Sequence, residues 1–149
     1  MSDGLNVIIV DDNREVCELV SDVIKRFYTW GNVIAFSDVE EAIVYCKSQR
    51  TCVSIFVVDV FLKDYTGFQF LDSLASKYPM VYEDAIIMSG NASDDVVNMC
   101  IAANITYLLE KPVKVYALQL AVRAIVNKYI NFAKRLIDDP DLAEDIYNF

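Results

Sequence analysis

The sequence predicts an α/β fold in which a five-stranded parallel sheet is doubly wound, with helices on both faces. Three observations carry this expectation. Short continuous apolar runs recur along the chain, and amphipathic stretches with helical spacing separate them. The 149 residues hold only three prolines and four glycines, too few to mark an internal linker, and no repeat interrupts the alternation. Strands that alternate with helices form right-handed βαβ crossovers, and these build a parallel sheet covered on both sides.

In chain order, the runs Leu5 to Val10, Val33 to Phe36, Val53 to Val58, Ala85 to Met88 and Ile105 to Leu109 have the length and β-branched content of buried strands. The first helix places Val16, Leu19, Val20, Val23 and Phe27 on its apolar stripe, and the second places Val39, Ala42, Ile43 and Cys46. The third carries Phe68, Phe70, Leu71 and Leu74, and the fourth Val96, Val97, Cys100 and Ile101. Ser37 or Asp38 is placed to cap the second helix. Ser93 caps the fourth, whose first turn is charged by Asp94 and Asp95, and Pro79 helps stop the third. In the last helix Val115, Leu118, Val122, Ile125, Tyr129, Phe132 and Leu136 alternate steps of three and four, a heptad seam that runs on to about Ile137.

Composition removes several functions. Acids outnumber bases 22 to 13 and the net charge is −9, so no nucleic-acid partner is expected, because phosphate contacts need clustered Lys and Arg. No run is long enough to span a membrane, and no membrane partner is expected. The start MSDGLNVIIVDD has no signal-like pattern, and Cys17, Cys46, Cys52 and Cys100 form no CxxC pair, so they read as reduced thiols of a cytoplasmic protein. There is no histidine, which excludes Ser-His-Asp and Cys-His nucleophile pairs, most catalytic zinc sites and a phosphohistidine on this chain.

In such a sheet ligands bind beyond the carboxyl ends of the strands. There the first strand ends in Asp11 and Asp12, the third in Asp59, the fourth in Ser89 and the fifth in Lys111 with Pro112. Each alone has a plain reading: a loop or cap acid, a turn serine, a surface lysine. Their joint placement on one edge does not. Three carboxylates within about 4 Å would repel by roughly 4 kcal/mol per pair at an effective dielectric of 20, so a cation is implied. Oxygen ligands without His or Cys suit a hard ion such as Mg²⁺. With an ammonium at Lys111 and a hydroxyl at Ser89, the set suits phosphoryl transfer onto a carboxylate. Asp59 is the natural nucleophile, and Asp11 and Asp12 the metal ligands.

The order AspAsp, Asp, Ser, LysPro resembles the receiver domains of two-component response regulators. Gly67, Ser89 and Lys111 follow Asp59 by 8, 30 and 52 positions, spacings similar to the family's. The resemblance covers roughly residues 5 to 130, suggesting a receiver domain over 1–131 and a C-terminal helical extension over 132–149. It implies a flavodoxin-like sandwich and phosphorylation of Asp59 by a histidine kinase or phosphotransfer protein. Asp12 would bind Mg²⁺ directly, Asp11 partly through water, and Asp59 and the Phe61 backbone carbonyl would complete the ligand set. The Lys111–Pro112 peptide would be cis. The domain would assist its own phosphorylation and dephosphorylation, with Phe61 and Asn91 flanking the path of attacking water. A downstream protein target would read the result.

One position departs from the pattern. The family commonly has a switching aromatic three residues before the Lys, and this chain has Leu108, with Tyr107 one step away on the opposite strand face. A phosphorylation-independent interaction module with the same fold is therefore the alternative function. A haloacid-dehalogenase-type phosphatase would need an acid two positions after Asp59, where Phe61 stands. The surplus helical seam either folds back on its own domain or pairs with another protein or a second copy, and self-association through it is expected. If complete, the chain is a single-domain regulator that acts by binding or by passing on its phosphoryl group. If a fragment, its last helix leads to an effector.

Overall fold

The structure, a computed structural model, describes residues 4–141 and 144. The strands are β1 (Val7–Val10), β2 (Val33–Phe36), β3 (Ile55–Asp59), the short pair β4 (Phe61–Leu62) and β5 (Tyr65–Thr66), β6 (Ala85–Ser89) and β7 (Tyr107–Glu110). The helices are α1 (Arg14–Phe27), α2 (Val39–Ser48), α3 (Gly67–Leu74), α4 (Asp94–Ala102) and α5 (Val115–Asp138). Five strands form one parallel sheet in the order β2-β1-β3-β6-β7, and β4 and β5 make a small antiparallel hairpin after β3.

The central strands β1, β3 and β6 are apolar on both sides because both faces are covered. Ile8, Val10, Phe56, Val58 and Ile87 point into the core that carries residues of α2, α3 and α4. Val7, Ile9, Val57, Ile86 and Met88 point into the core that carries residues of α1 and α5. This period-2 alternation splits one sheet into two cores.

Local chemistry sets the helix starts. The Asn13 side chain accepts from the backbone N–H groups of Glu15 and Val16 to open α1, and Asp38, rather than Ser37, does the same for α2 with Glu40 and Glu41. Thr66 and Gln69 form a capping box at α3, and Ser93 caps α4. The third helix ends at Leu74, ahead of Pro79, and turns lead on to β6.

Three expectations about faces need correction. Leu19 is 64% exposed, Ile101 is 67% exposed, and Val97 is also exposed, so α1 and α4 bury narrower stripes than their composition suggests. The contact of a short helix with a sheet is only about two residues wide per turn, and flanking apolar positions fall outside it. In α5 the seam divides. Leu118, Val122 and Ile125 are buried under the sheet, but Val115 and Phe132 are exposed, because the helix begins at the sheet's edge and runs past its far end. Of the expected 132–149 extension, residues 142, 143 and 145–149 lie outside the described residues.

A second polar cluster pins α5 at the end of the sheet opposite the acids. The Asp84 carboxylate, buried just before β6, accepts from both Lys128 Nζ and Tyr129 Oη. No helix among the described residues is long and apolar enough to cross a membrane.

Candidate functional site

The parallel register brings the carboxyl ends of β1, β3, β6 and β7 to one edge of the sheet. Val10 pairs with Val58 and Asp59 with Met88, so Asp11 and Asp59 leave neighbouring strands side by side. Ser89 pairs with Glu110, and the Lys111 N–H donates to the Ser89 carbonyl at 2.7 Å, which sets the lysine at the same edge. The Lys111–Pro112 peptide is cis.

At the centre stands Lys111. Its Nζ lies 2.6 Å from Asp11 Oδ2 and 3.1 Å from Asp59 Oδ2. Asp11 is buried, and its Oδ1 also accepts from the Asn13 backbone N–H at 2.9 Å. Burial pushes the Asp59 carboxyl above the ordinary carboxylate value, and the nearby Asp11 charge adds to this. The hydrogen bond and charge of Lys111, with the Phe61 backbone N–H, offset it only in part. Burial alone would lower the Lys111 ammonium, but its hydrogen bonds and charge contacts with Asp11 and Asp59 outweigh that and raise it.

The site is tightly built at Asp59. A Cβ on Gly67 would stand 2.4 Å from the Asp59 carbonyl oxygen, so the α3 start passes too close to the strand end for any side chain. The Gly67 N–H donates to the Val60 carbonyl, which closes the β4–β5 hairpin over the strand end.

Two predicted residues stand differently from expectation. Asp12 is exposed and, with Asp38, Glu40, Lys63 and Asp64, lines an open polar cleft of about 580 Å³. Among the described residues no three acids are gathered closely enough to share one ion. In place of the trio expected from sequence, buried Asp11 and half-buried Asp59 are bridged by Lys111, and Asp12, next in sequence to Asp11, is exposed. A lysine long enough to cross the edge takes the neutralising place, because two adjacent carboxylates drawn partly out of water are costly without a cation. The Ser89 hydroxyl is buried and turned into its own loop, donating to the Asn91 carbonyl at 2.7 Å and accepting from the Asn91 N–H at 3.2 Å.

Leu108 packs against the core on the α2–α4 side of the sheet and Tyr107 against the α1–α5 side. Phe61 has an exposed side chain, and its backbone neighbours Asp59. Two supports escaped the sequence reading. Asn13 both caps α1 and holds Asp11, which an Asn directly after paired acids at a helix start could have signalled. Cys17 places its thiol 3.1 Å from the Asp11 carbonyl and 3.4 Å from that of Phe36, tying α1 to the ends of β1 and β2, and no spacing marks it.

Against known proteins, a profile described as the response regulator receiver domain matches residues 7–123. The chain belongs to the response regulator receiver domain family. It is thus a receiver domain of two-component signalling. The fold is similar to a receiver domain protein from Clostridium thermocellum, at TM-score 0.75 and 16% identity, covering 86% of this chain and 98% of that one. It is similar also to the chemotaxis protein CheY4 of Vibrio cholerae, at TM-score 0.69 and 21% identity, covering 81% and 98%. A third likeness is the Francisella response regulator 1452 receiver domain, at TM-score 0.70 and 16% identity, covering 85% and 99%. These likenesses concern the fold. No curated protein matches the chain.

Proposed function

We propose that this receiver domain is a phosphorylation switch in which Asp59 takes a phosphoryl group from a phosphohistidine of a histidine kinase or phosphotransfer protein. The supporting observation is the single ammonium of Lys111 within 2.6 Å of Asp11 and 3.1 Å of Asp59, a fixed positive charge where a phosphoryl dianion would meet a carboxylate. An Asp59 oxygen attacks phosphorus as the phosphorus–nitrogen bond breaks. The electron pair of that bond returns to the donor's imidazole, and little further chemistry is asked of the protein beyond positioning and charge neutralisation.

The donor chemistry suits Mg²⁺: two carboxylates already share one cationic group, every candidate ligand is oxygen, and binding would draw in the exposed Asp12, next in sequence to Asp11. Asp11, Asp12, Asp59 and the Phe61 carbonyl would hold the ion, which would neutralise negative charge on the phosphoryl oxygens. Lys111 would turn from Asp59 to a phosphoryl oxygen while keeping Asp11. Ser89 would leave Asn91 and donate to another phosphoryl oxygen. Phe61 and Asn91 would border the approach of hydrolytic water, and a downstream protein would read the altered loops and α4.

The test is intact mass after incubation with acetyl phosphate and Mg²⁺. A single phosphoryl adduct is expected on the wild type, and none on Asp59→Asn or under chelation. A wild type that takes no adduct would overturn the reading. It would favour the phosphorylation-independent module, to which the packed Leu108 in place of a switching aromatic gives support.

A further inference from the structure

The stretch of α5 beyond the family match, from Ala124 to Asp138, presents a second apolar seam beside that of Phe132 and Leu136. Val126, Ile130, Ala133 and Ile137 fall on one face at steps of four, three and four. Val126 is half-buried against the sheet, Ile130 is 36% exposed, Ala133 is exposed, and Ile137 at 79% is the most exposed large apolar side chain among the described residues. Ile130 also borders a cleft of about 410 Å³ that it shares with Phe27 and Trp30.

Charge along one flank of this seam is polar in the sequential sense. Arg123 and Lys134 come first, Asp138 and Asp141 last, and all four are exposed. A parallel copy would set Lys134 against Lys134. An antiparallel copy sets it against acids, and like charges side by side cost what opposite charges gain.

We propose that this face is a homodimer interface, with two α5 helices antiparallel about a two-fold axis near residues 134–136. Ala133 of each helix receives Ile137 of the other, a small residue opposite a large one. Lys134 of each lies along Asp138 and Asp141 of the other. The cleft beside Ile130, Phe27 and Trp30 takes the second copy's chain near Pro140. The arrangement is self-complementary, as a two-fold interface must be. It uses no residue of the Asp59 site and stands or falls independently of phosphorylation there. The contact is short, so the association is weak and calls for measurement at high concentration.

Sedimentation velocity across chain concentrations up to about 1 mM tests it, a range that reaches affinities of about −4 kcal/mol. The wild type is expected to move from the 16.9 kDa monomer toward twice that mass as concentration rises. Ile137→Asp is expected to raise the midpoint at least about tenfold, a loss of about 1.4 kcal/mol. Leu120→Asp, 71% exposed and about five turns away from the seam's outer end along α5, is expected to leave it unchanged. Lys134→Glu should weaken the dimer, and Lys134→Glu with Asp141→Lys should recover it. Circular dichroism checks that helix content is kept. A wild type monomeric at every concentration, a dimer indifferent to Ile137→Asp, or one dissolved equally by Leu120→Asp overturns the interface. Failure of the charge swap to recover association overturns the antiparallel arrangement.

Discussion

Lys111 answers two carboxylates at once, and the distances rank them: 2.6 Å to Asp11 and 3.1 Å to Asp59. Asp59 receives the weaker share, so burial governs its carboxyl, whose pKa is raised. A carboxyl raised on folding binds its proton more tightly in the folded chain. Its contribution to stability is therefore full below the ordinary value of 3.8 and is lost as pH rises through the folded value. Without divalent ions at neutral pH, Asp59→Asn is expected to be more stable than the wild type by about 1 kcal/mol, or about 2–4 °C in Tm. Thermal melts at stepped pH check it, and the gap should close toward pH 4 as the wild-type carboxyl is protonated. A gap that widens on acidification would sink this account.

At the scale of elements, α5 is held by two unlike devices. Leu118, Val122 and Ile125 fill the core, and beyond them Lys128 and Tyr129 converge on Asp84. Removing a buried carboxylate that two donors share leaves a half-buried ammonium and a phenol without their acceptor. Asp84→Ala is expected to cost about 3 kcal/mol in urea unfolding, and Lys128→Ala clearly less, because Tyr129 still satisfies the acid. The strands were legible in sequence because runs such as Ile55–Val58 are apolar without interruption, which only a sheet covered on both faces requires. Asp11, Asp59 and Lys111 were legible because strand ends in a parallel sheet share one edge. Lys128 with Asp84 was not, since a pair 44 residues apart has no spacing signature. Nor was the exposure of Ile130 and Ile137 on the outer turns of α5, because heptad steps alone cannot say which face the sheet takes.

For the whole molecule, site and stability are linked by mass action. If Mg²⁺ binds the folded chain as proposed, the ion at about 100 times its Kd should add roughly 2.7 kcal/mol to unfolding. Asp12→Ala should abolish most of that gain while leaving the ion-free midpoint in place, since Asp12 is exposed and no core contact depends on it. Titrating Mg²⁺ against Tm for both chains checks this, and an equal gain in the two would remove Asp12 from the ligand set. A signalling protein is also judged by its silence before a signal arrives, and here the Ser89 loop matters. Its hydroxyl holds both the carbonyl and the N–H of Asn91, so presenting it to an unphosphorylated Asp59 forfeits two hydrogen bonds. At about 1 kcal/mol each, that is about a thirtyfold bias against the outward arrangement; if Asp59 is phosphorylated as proposed, this bias would keep spontaneous output low and set the threshold that the phosphoryl group overcomes.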